Sequence, residues 1–163
     1  MARDILLSPT GDGLFDLVLQ GGDLAGDDSL GTAVLISLFT DARADADVLP
    51  EGVTDPRGWW ADALLAENAR SFSGVGSLLW LLAREKQTQE VMARAEDYAR
   101  QALQWLVDDG LASAVSVFAE NPRNGVLGLG IEVVLSSPDA DQRSTDRWTV
   151  TLDGSSITIR REA

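Results

Sequence analysis

Carboxylates are the reactive side chains that this sequence offers in quantity, since its 163 residues include 26 Asp and Glu but no Cys and no His. Two neighbouring carboxyl groups can hydrolyse a glycosidic bond, one as acid and the other as base or nucleophile. The absence of Cys and His excludes thiolate metal sites, cysteine nucleophiles and every relay that needs an imidazole. Among so many acids close pairs arise by chance, and none lies in an aromatic-lined motif, so a carboxylate hydrolase is an alternative only.

Other catalytic and metal-binding motifs are incomplete. A serine nucleophile needs a base, but Lys86 is the only lysine and no serine stands three residues before it. Gly74-Val75-Gly76 is followed neither by the third glycine of a dinucleotide fingerprint nor by the lysine of a phosphate-binding loop. Asp41, Asp45 and Asp47 lack the glycine and the twelfth-position glutamate of an EF-hand. The sequence therefore predicts no catalytic residue, no cofactor and no metal site.

The acidic charge is concentrated near the N-terminus. Residues 1–55 contain eleven Asp and Glu against Arg3 and Arg43, a net charge of −9, whereas fifteen acids and eleven bases leave residues 56–163 at −4. The total of −13 makes nucleic acids and anionic membranes poor partners, because binding to them depends on Lys and Arg. The acidic third indicates either a surface for a basic partner or a solvated, loop-rich face. The sequence predicts neither a leader nor a membrane-spanning segment, and we therefore expect the protein to be made in a reducing cytoplasm.

The N-terminal third is predicted to contain short extended pieces followed by a helix. Leu17 and Leu19 share one face of an extended segment that ends at Gly21-Gly22, a hairpin-turn signal. Apolar residues then recur at helical spacing over residues 29–41, where Ser29 can cap the N-terminus of the helix.

The longest predicted element is a helix over residues 88–109. Its apolar residues recur every three or four positions, and Gly110 supplies the stop. Glu96 and Arg100 lie one turn apart on the other side of this helix, a spacing that favours an ion pair. A shorter helix is predicted at residues 78–83.

Beyond the long helix the apolar pattern becomes extended. Alternating residues predict strands at 115–117 and 126–135, joined by a turn at residues 121–125. Gly130 falls on the less apolar face of the second strand, where we expect a neighbouring group to approach closely. A final hairpin turns at Asp153-Gly154.

These elements predict an α+β fold, in which a long central helix and shorter helices pack on a mainly antiparallel sheet formed largely by the C-terminal third. We expect residues 1–163 to form a single domain. Its parts are an acidic N-terminal hairpin and helix (1–55), a helical part (56–110) and the sheet (111–163).

Five tryptophans need separate explanations. Trp80, Trp105 and Trp148 fall on predicted apolar stripes, which favours packing in the core. Trp59 and Trp60 are adjacent, and adjacent residues of a helix or strand face different ways. We therefore expect one of them to be in the core and the other to be at a surface or subunit contact, where Trp is enriched.

Residues 55–62 read Asp-Pro-Arg-Gly-Trp-Trp-Ala-Asp. This segment resembles the D-x-R-G-W-W-x-D segment of Mu-like phage tail proteins, which belong to the baseplate of contractile tails. The similarity continues in unchanged order through residues 33–41 upstream and 76–86 and 102–106 downstream, within a span from about residue 3 to 153. It implies a structural protein of the virion tail baseplate, made in the host cytoplasm, with no active site. The alternatives are a peptidoglycan-hydrolysing tail enzyme with paired carboxylates and an acidic adaptor that binds a basic host protein.

This family resembles, more distantly, the small baseplate wedge proteins of other contractile injection machines, including type VI secretion. Those proteins carry a Glu-Pro-Arg signature after the strand that follows the main helix. Glu120 and Arg123 occupy that place here with one residue inserted, and the resemblance implies that they contact the wedge core. The alternative is a surface turn with solvated charges.

The same resemblance implies a wedge subunit at the tube–sheath junction, six-fold around the tail axis, with other wedge proteins and sheath subunits as partners. Its C-terminal strands would pair with sheath subunits and so start the sheath. The outer strand of the terminal hairpin can accept another chain by strand addition, although Arg160-Arg161 also suits an edge that charge protects. The candidate partner-binding residues are Asp55, Arg57, Trp59, Trp60, Glu120, Arg123, Ile157 and Ile159.

Overall fold

In the computed structural model the chain is described over residues 4–10, 14–27, 29–62, 74–83, 85–86, 88–123, 125–136, 144–153 and 156–162. The helices there are α1 (Gly31–Phe39), α2 (Gln89–Leu103) and α3 (Trp105–Asp108), with a 3-10 turn at Leu79–Leu82. The strands are β1 (Asp4–Ile5), β2 (Leu7–Pro9), β3 (Phe15–Leu17), β4 (Leu19–Gln20), β5 (Asp23–Leu24), β6 (Gly26–Asp27), β7 (Ala112–Arg123), β8 (Val126–Leu135), β9 (Thr145–Asp153) and β10 (Ser156–Glu162).

The last four strands form one antiparallel sheet in the order β10-β9-β8-β7. Its inner face carries the alternating apolar residues of β8 and β9, such as Leu129, Ile131 and Val150, which are fully buried. Helix α2 packs against this face and contributes Ala95 and Leu103 to the same core. The predicted α+β fold, with the sheet in the C-terminal third, is confirmed.

The long helix forms close to its predicted limits. The backbone N–H of Val91 donates to Thr88 Oγ1 at 3.3 Å, which caps α2, and Gly110 ends α3 with a φ of +73°. The predicted helix is interrupted only at Gln104, between α2 and α3. The predicted ion pair within it is wrong, because Glu96 accepts the backbone N–H of Ala119 in β7 at 2.8 Å instead. That hydrogen bond ties the helix to the sheet.

The connection between β7 and β8 is shorter than predicted. Strand β7 continues to Arg123, which pairs with Val126, so residues 121–123 belong to the strand and not to a turn. The expected close approach at Gly130 is confirmed. The ring of Phe118, its partner across the strands, occupies the space that a Cβ at Gly130 would need.

Three two-stranded ribbons lie within residues 4–10 and 14–27: β1 pairs with β6, β2 with β3, and β4 with β5. They meet at Leu6, Val18 and Ala25, whose backbones form a closed ring of hydrogen bonds. The N–H of Leu6 donates to Ala25 O, that of Ala25 to Val18 O, and that of Val18 to Leu6 O, at 2.8–3.1 Å. The predicted Gly21-Gly22 turn is present, with φ values of +64° and +88°.

Asp27 joins these ribbons to α1. Its carboxylate accepts the backbone N–H groups of Ser29 and Thr32 at 2.8 Å and the Ser29 hydroxyl at 2.6 Å. The Thr32 hydroxyl donates to Ile5 O, and it accepts the N–H of Leu7. Burial acts to raise the pKa of Asp27, but the hydrogen bonds from Ser29 and Thr32 outweigh it and lower that pKa below its ordinary value. The predicted cap by Ser29 is wrong, because Leu30 is the N-cap residue of α1 and makes no side-chain cap bond; Ser29 lies one position earlier, where its Oγ accepts the N–H of Gly31.

Candidate interaction surface

The segment after α1 folds against residues 74–77. The N–H of Ser77 donates to Thr40 O, and the N–H of Ala42 donates to Ser77 O, both at 2.9 Å. Gly76 has a φ of +107°, and a Cβ there would overlap the Thr40 carbonyl. Only glycine permits this approach without strain. These contacts fix the point from which residues 41–62 leave the core.

Arg57 is the central residue of this loop. Its N–H donates to Asp55 Oδ1 at 2.9 Å, and its guanidinium donates to Asp41 Oδ2 at 2.7 Å. The guanidinium also lies 4.4 Å from the centre of the Trp80 ring, a cation–π geometry. The φ of Arg57 is +53°, a conformation that costs about 1 kcal/mol in a non-glycine residue. The ion pair with Asp41 and the contact with Trp80 are the side-chain interactions that favour this conformation of Arg57.

Trp80 is therefore part of this loop and not of the apolar core. Its ring is half-buried beneath Arg57, and its indole N–H donates to Ala42 O at 2.9 Å. The core assignment is right for Trp148, which is buried, and for Trp105, which is half-buried against the core and donates to Ser37 Oγ.

Gly58 and Asp62 close the loop. Gly58 has a φ of +102°, and a Cβ at this position would lie 2.7 Å from Arg43 Cβ. The Asp62 carboxylate accepts the N–H of Trp59 at 3.3 Å and that of Val75 at 3.2 Å. Within residues 55–62, each charged or glycine residue thus has a local structural contact, which leaves the two tryptophans.

Both tryptophans are exposed, so the expectation that one of them lies in the core is wrong. Trp60 is 77% exposed and Trp59 is 38% exposed, with their ring centres 5.7 Å apart. The turn from Trp59 to Asp62 is irregular, and it presents both rings on the surface instead of on opposite faces of a regular element.

Trp59 borders a cleft of about 490 Å³ that is also lined by Asp41, Asp55 and Arg57. Asp41 and Asp55 each accept one of the hydrogen bonds of Arg57 described above. In the described ranges, His, Cys, Asp and Glu nowhere form a group of three or more that would hold a metal ion. None of the helices described has both the length and the apolar content that crossing a membrane requires.

Glu120 and Arg123 lie on β7, on either side of an irregularity in its pairing. Two residues separate them, whereas one residue separates their partners Gly128 and Val126 on β8. This β-bulge accommodates one extra residue. Arg123 forms an ion pair with Asp153 at 2.5 Å, and the Glu120 side chain lies over Gly128.

Ile157 and Ile159 lie on β10, where their backbones pair with Leu152 and Val150. The Ile159 side chain packs against the core and lines a cavity of about 310 Å³ between the ribbons, α1 and β10. The side chain of Ile157 is outside the described part, as is Gly154 of the predicted turn. Arg161 pairs with the buried Asp146 of β9.

Residues 30–142 match the sequence profile of a family described as phage protein GP46. The baseplate protein gp46 of Escherichia phage Mu is 46% identical over 125 residues, which cover 76% of this chain and 82% of the Mu protein. The chain belongs to the GP46 family. The Mu-like prophage FluMu protein gp46 of Haemophilus influenzae is also 46% identical, over 129 residues that cover 79% of this chain and 85% of that protein.

The matched range of the GP46 profile contains some of the candidate residues and not others. It includes the loop with Asp55, Arg57 and the tryptophan pair, and it includes Glu120 and Arg123. The three ribbons and β10, which carries Ile157 and Ile159, lie outside the range.

Sequence reasoning did not identify two sets of residues. Asp27 entered only the count of acidic residues, although its position five residues before Thr32 allows it to reach the first turn of α1. The exposure of Leu17, Leu19 and Leu24 was also missed. The available signal was length, because the tight Gly21-Gly22 turn joins strands of two residues, too short to cover their own leucines.

Proposed function

We propose that this chain is a structural baseplate protein of a contractile tail, a wedge subunit at the tube–sheath junction that helps to start the sheath. The observation that carries the proposal is 46% identity with the baseplate protein of phage Mu over 76% of this chain. Its partners are other wedge proteins and sheath subunits, arranged six-fold about the tail axis. In this proposal the chain acts as one domain, by contact and not by catalysis.

A comparison of the two edge strands supports strand addition at β10. At β7, the N–H of Ala119 is occupied by Glu96, and the pairing with β8 shifts register near both ends. Covered donors and bulges discourage pairing with another chain. Strand β10 pairs with β9 in continuous register from Ser156 to Glu162. A regular edge of this length is a suitable template for a strand of a sheath subunit.

The loop around Arg57 supports a second contact. Its ion pair with Asp41 and its stacking on Trp80 hold the loop in place before any partner binds, which lowers the entropy cost of association. Trp59 and Trp60 project from this ordered base, and exposed tryptophans are frequent anchors of interfaces. We assign the contact with the wedge core to this loop together with Glu120 and Arg123.

Complementation tests the baseplate role. In a host that produces the tails, deletion of the gene should abolish intact tails in electron micrographs, and the wild-type chain should restore them. Trp60→Ala should lower the tail yield by about tenfold or more, whereas Phe118→Ala, which removes an exposed aromatic ring elsewhere, should not. Normal tails without the gene would overturn the proposal, and normal yield with Trp60→Ala would remove the loop from it.

Single proline substitutions along residues 158–161 test the β10 edge. Alternate N–H groups of an edge strand point toward its partner or away from it. Proline at a position that bonds to β9 should lower the melting temperature, whereas proline at an outward position should leave it unchanged and block sheath growth on purified baseplates. Full sheath growth with every stable proline variant would exclude strand addition at this edge.

A turbidity assay on cell-wall peptidoglycan separates this proposal from a carboxylate hydrolase. The cleft brings together Asp41 and Asp55, so these are the side chains to change. We expect no clearing by the wild-type chain. Clearing that is lost in Asp41→Asn or Asp55→Asn would replace the structural role with an enzymatic one.

A further inference from the structure

The exposed apolar surface of this protein is unevenly distributed. Among the described residues, every exposed large apolar side chain except Phe118 lies between Ile5 and Trp60. The three ribbons contribute the largest share, with Ile5, Leu17, Leu19 and Leu24 exposed. Exposed apolar side chains concentrated in one region are typical of interaction sites in soluble proteins.

The ribbons present these side chains in a fixed arrangement. Leu19 and Leu24 are direct cross-strand partners beside the Gly21-Gly22 turn, and they are 72% and 43% exposed. The hydrogen-bonded ring at the centre of the ribbons sets the directions of the three arms. Phe15 packs on Phe39 of α1 with 5.6 Å between ring centres, and Asp27 adds the bonds already described. The surface is therefore organised before a partner arrives.

Each ribbon also places a carboxylate beside its apolar residue. Asp4 precedes Ile5, Asp16 precedes Leu17, and Asp23 precedes Leu24. In all three pairs the carboxylate accepts the N–H of the residue that follows, at 2.8 Å. Residues 4–10 and 14–27 contain no Lys or Arg. The ribbons therefore expose both apolar and negative side chains, without a cation of their own in those ranges.

From this pattern we propose that the three ribbons are a docking surface for a segment of a different tail protein, one that combines apolar side chains with Lys or Arg. The inference rests on the baseplate role proposed above and adds the place and the chemistry of one contact. A second copy of this chain does not fit, because residues 1–55 carry a net charge of −9 and two such faces repel each other.

Photo-crosslinking in assembled tails tests the occupant. Benzoylphenylalanine at position 19 should crosslink to one segment of another tail protein, and mass spectrometry should find that segment rich in Lys or Arg. The same probe at position 118, on the outer face of the sheet, is the matched control and should not give that product. A crosslink to a second copy of this chain, or to a segment without cations, would overturn the proposal.

Paired substitutions test the two parts of the chemistry. The double variant Leu19→Ser/Leu24→Ser should lower incorporation into tails by about tenfold, as should Asp16→Lys/Asp23→Lys, while the melting temperature stays close to that of the wild type. Phe118→Ser and Asp109→Lys, at exposed positions outside the ribbons, should incorporate normally. If wild-type chain enters tails and the ribbon variants enter equally well, only the docking surface is excluded. If wild-type chain is absent from tails, the baseplate role fails and this inference falls with it.

Discussion

The N-terminal ribbons and the C-terminal sheet are both built from extended segments with alternating leucines, yet the ribbons expose their leucines and the sheet buries them. Leu129 of β8 is fully buried, whereas Leu19 of β4 is 72% exposed. The sheet has strands of seven to twelve residues and a helix across its inner face. The ribbons have strands of two or three residues. Alternation alone therefore does not decide burial; a covering layer does.

The two regions also differ in what holds them together. The sheet is stabilised by apolar contacts with α2, so its free energy of unfolding depends on side-chain volume. The ribbons depend on backbone hydrogen bonds around Leu6 and on the polar groups of Asp27 and Thr32. Substitutions can test each half of this contrast, beginning with the change expected to cost most.

The same substitution in the two regions should give the largest difference. Leu129→Ala removes fully buried methyl groups from the centre of the core and should lower the free energy of unfolding by about 3 kcal/mol. Leu19→Ala removes them from an exposed position and should change it by no more than about 0.5 kcal/mol. Urea denaturation followed by tryptophan fluorescence measures both. Equal losses would show that the ribbons contribute to the core.

Asp27→Ala should loosen the ribbons while leaving the sheet in place. The change leaves the N–H groups of Ser29 and Thr32 without the carboxylate and should cost about 2 kcal/mol. Hydrogen exchange should accelerate at Leu6, Val18 and Ala25, with the β8 amides nearly unchanged. Uniform acceleration across both regions would mean that the ribbons and the sheet unfold together.

Phe118 is an exposed apolar residue of the sheet, and it can be compared with the exposed leucines of the ribbons because it has an intramolecular contact. Its ring occupies the space above Gly130, so Gly130→Ala should cost about 1 kcal/mol as the ring is displaced. In the Phe118→Ala background the same change should cost nothing, since the space is then empty. Thermal unfolding of the double-mutant cycle measures this coupling, and additive losses would contradict it.

The smallest expected effect is on the pH dependence of stability. The pKa of Asp27 is lower in the folded chain than its ordinary value of 3.8. Its contribution is therefore complete above that value and is lost as the pH falls through the lowered pKa. Denaturation between pH 5 and about pH 2 should show a shallower loss of stability for Asp27→Asn than for the wild type. Identical slopes would mean that this carboxylate has no linkage to folding.

Most of the fold could be predicted because its signals are local. Residues close together in the sequence determine the apolar period of α2 and the apolar alternation in β8. The same holds for the end of the helical segment at Gly110. The partners of charged side chains could not be predicted in the same way. Helical spacing suggested a bond between Glu96 and Arg100, but Glu96 bonds to Ala119, 23 residues away, and Arg100 pairs with Asp97.

The candidate surface was partly predictable. The segment from Asp55 to Asp62 stands out in the sequence, and the loop it forms is ordered by Arg57 and Gly58. Its exposure could not be derived from the two tryptophans, because the argument that adjacent residues face opposite ways holds only in regular elements. The turn around Trp59 is not regular.

The sequence by itself determined the types and approximate limits of the major elements, the absence of Cys and His and the position of the acidic third. These follow from properties of single residues and of near neighbours. Only the tertiary structure decided which apolar faces are covered. It buried Leu129 beneath α2, and it left Leu19 and Trp60 on the surface. Burial depends on what lies across from a residue, and the chain brings those groups together from distant positions.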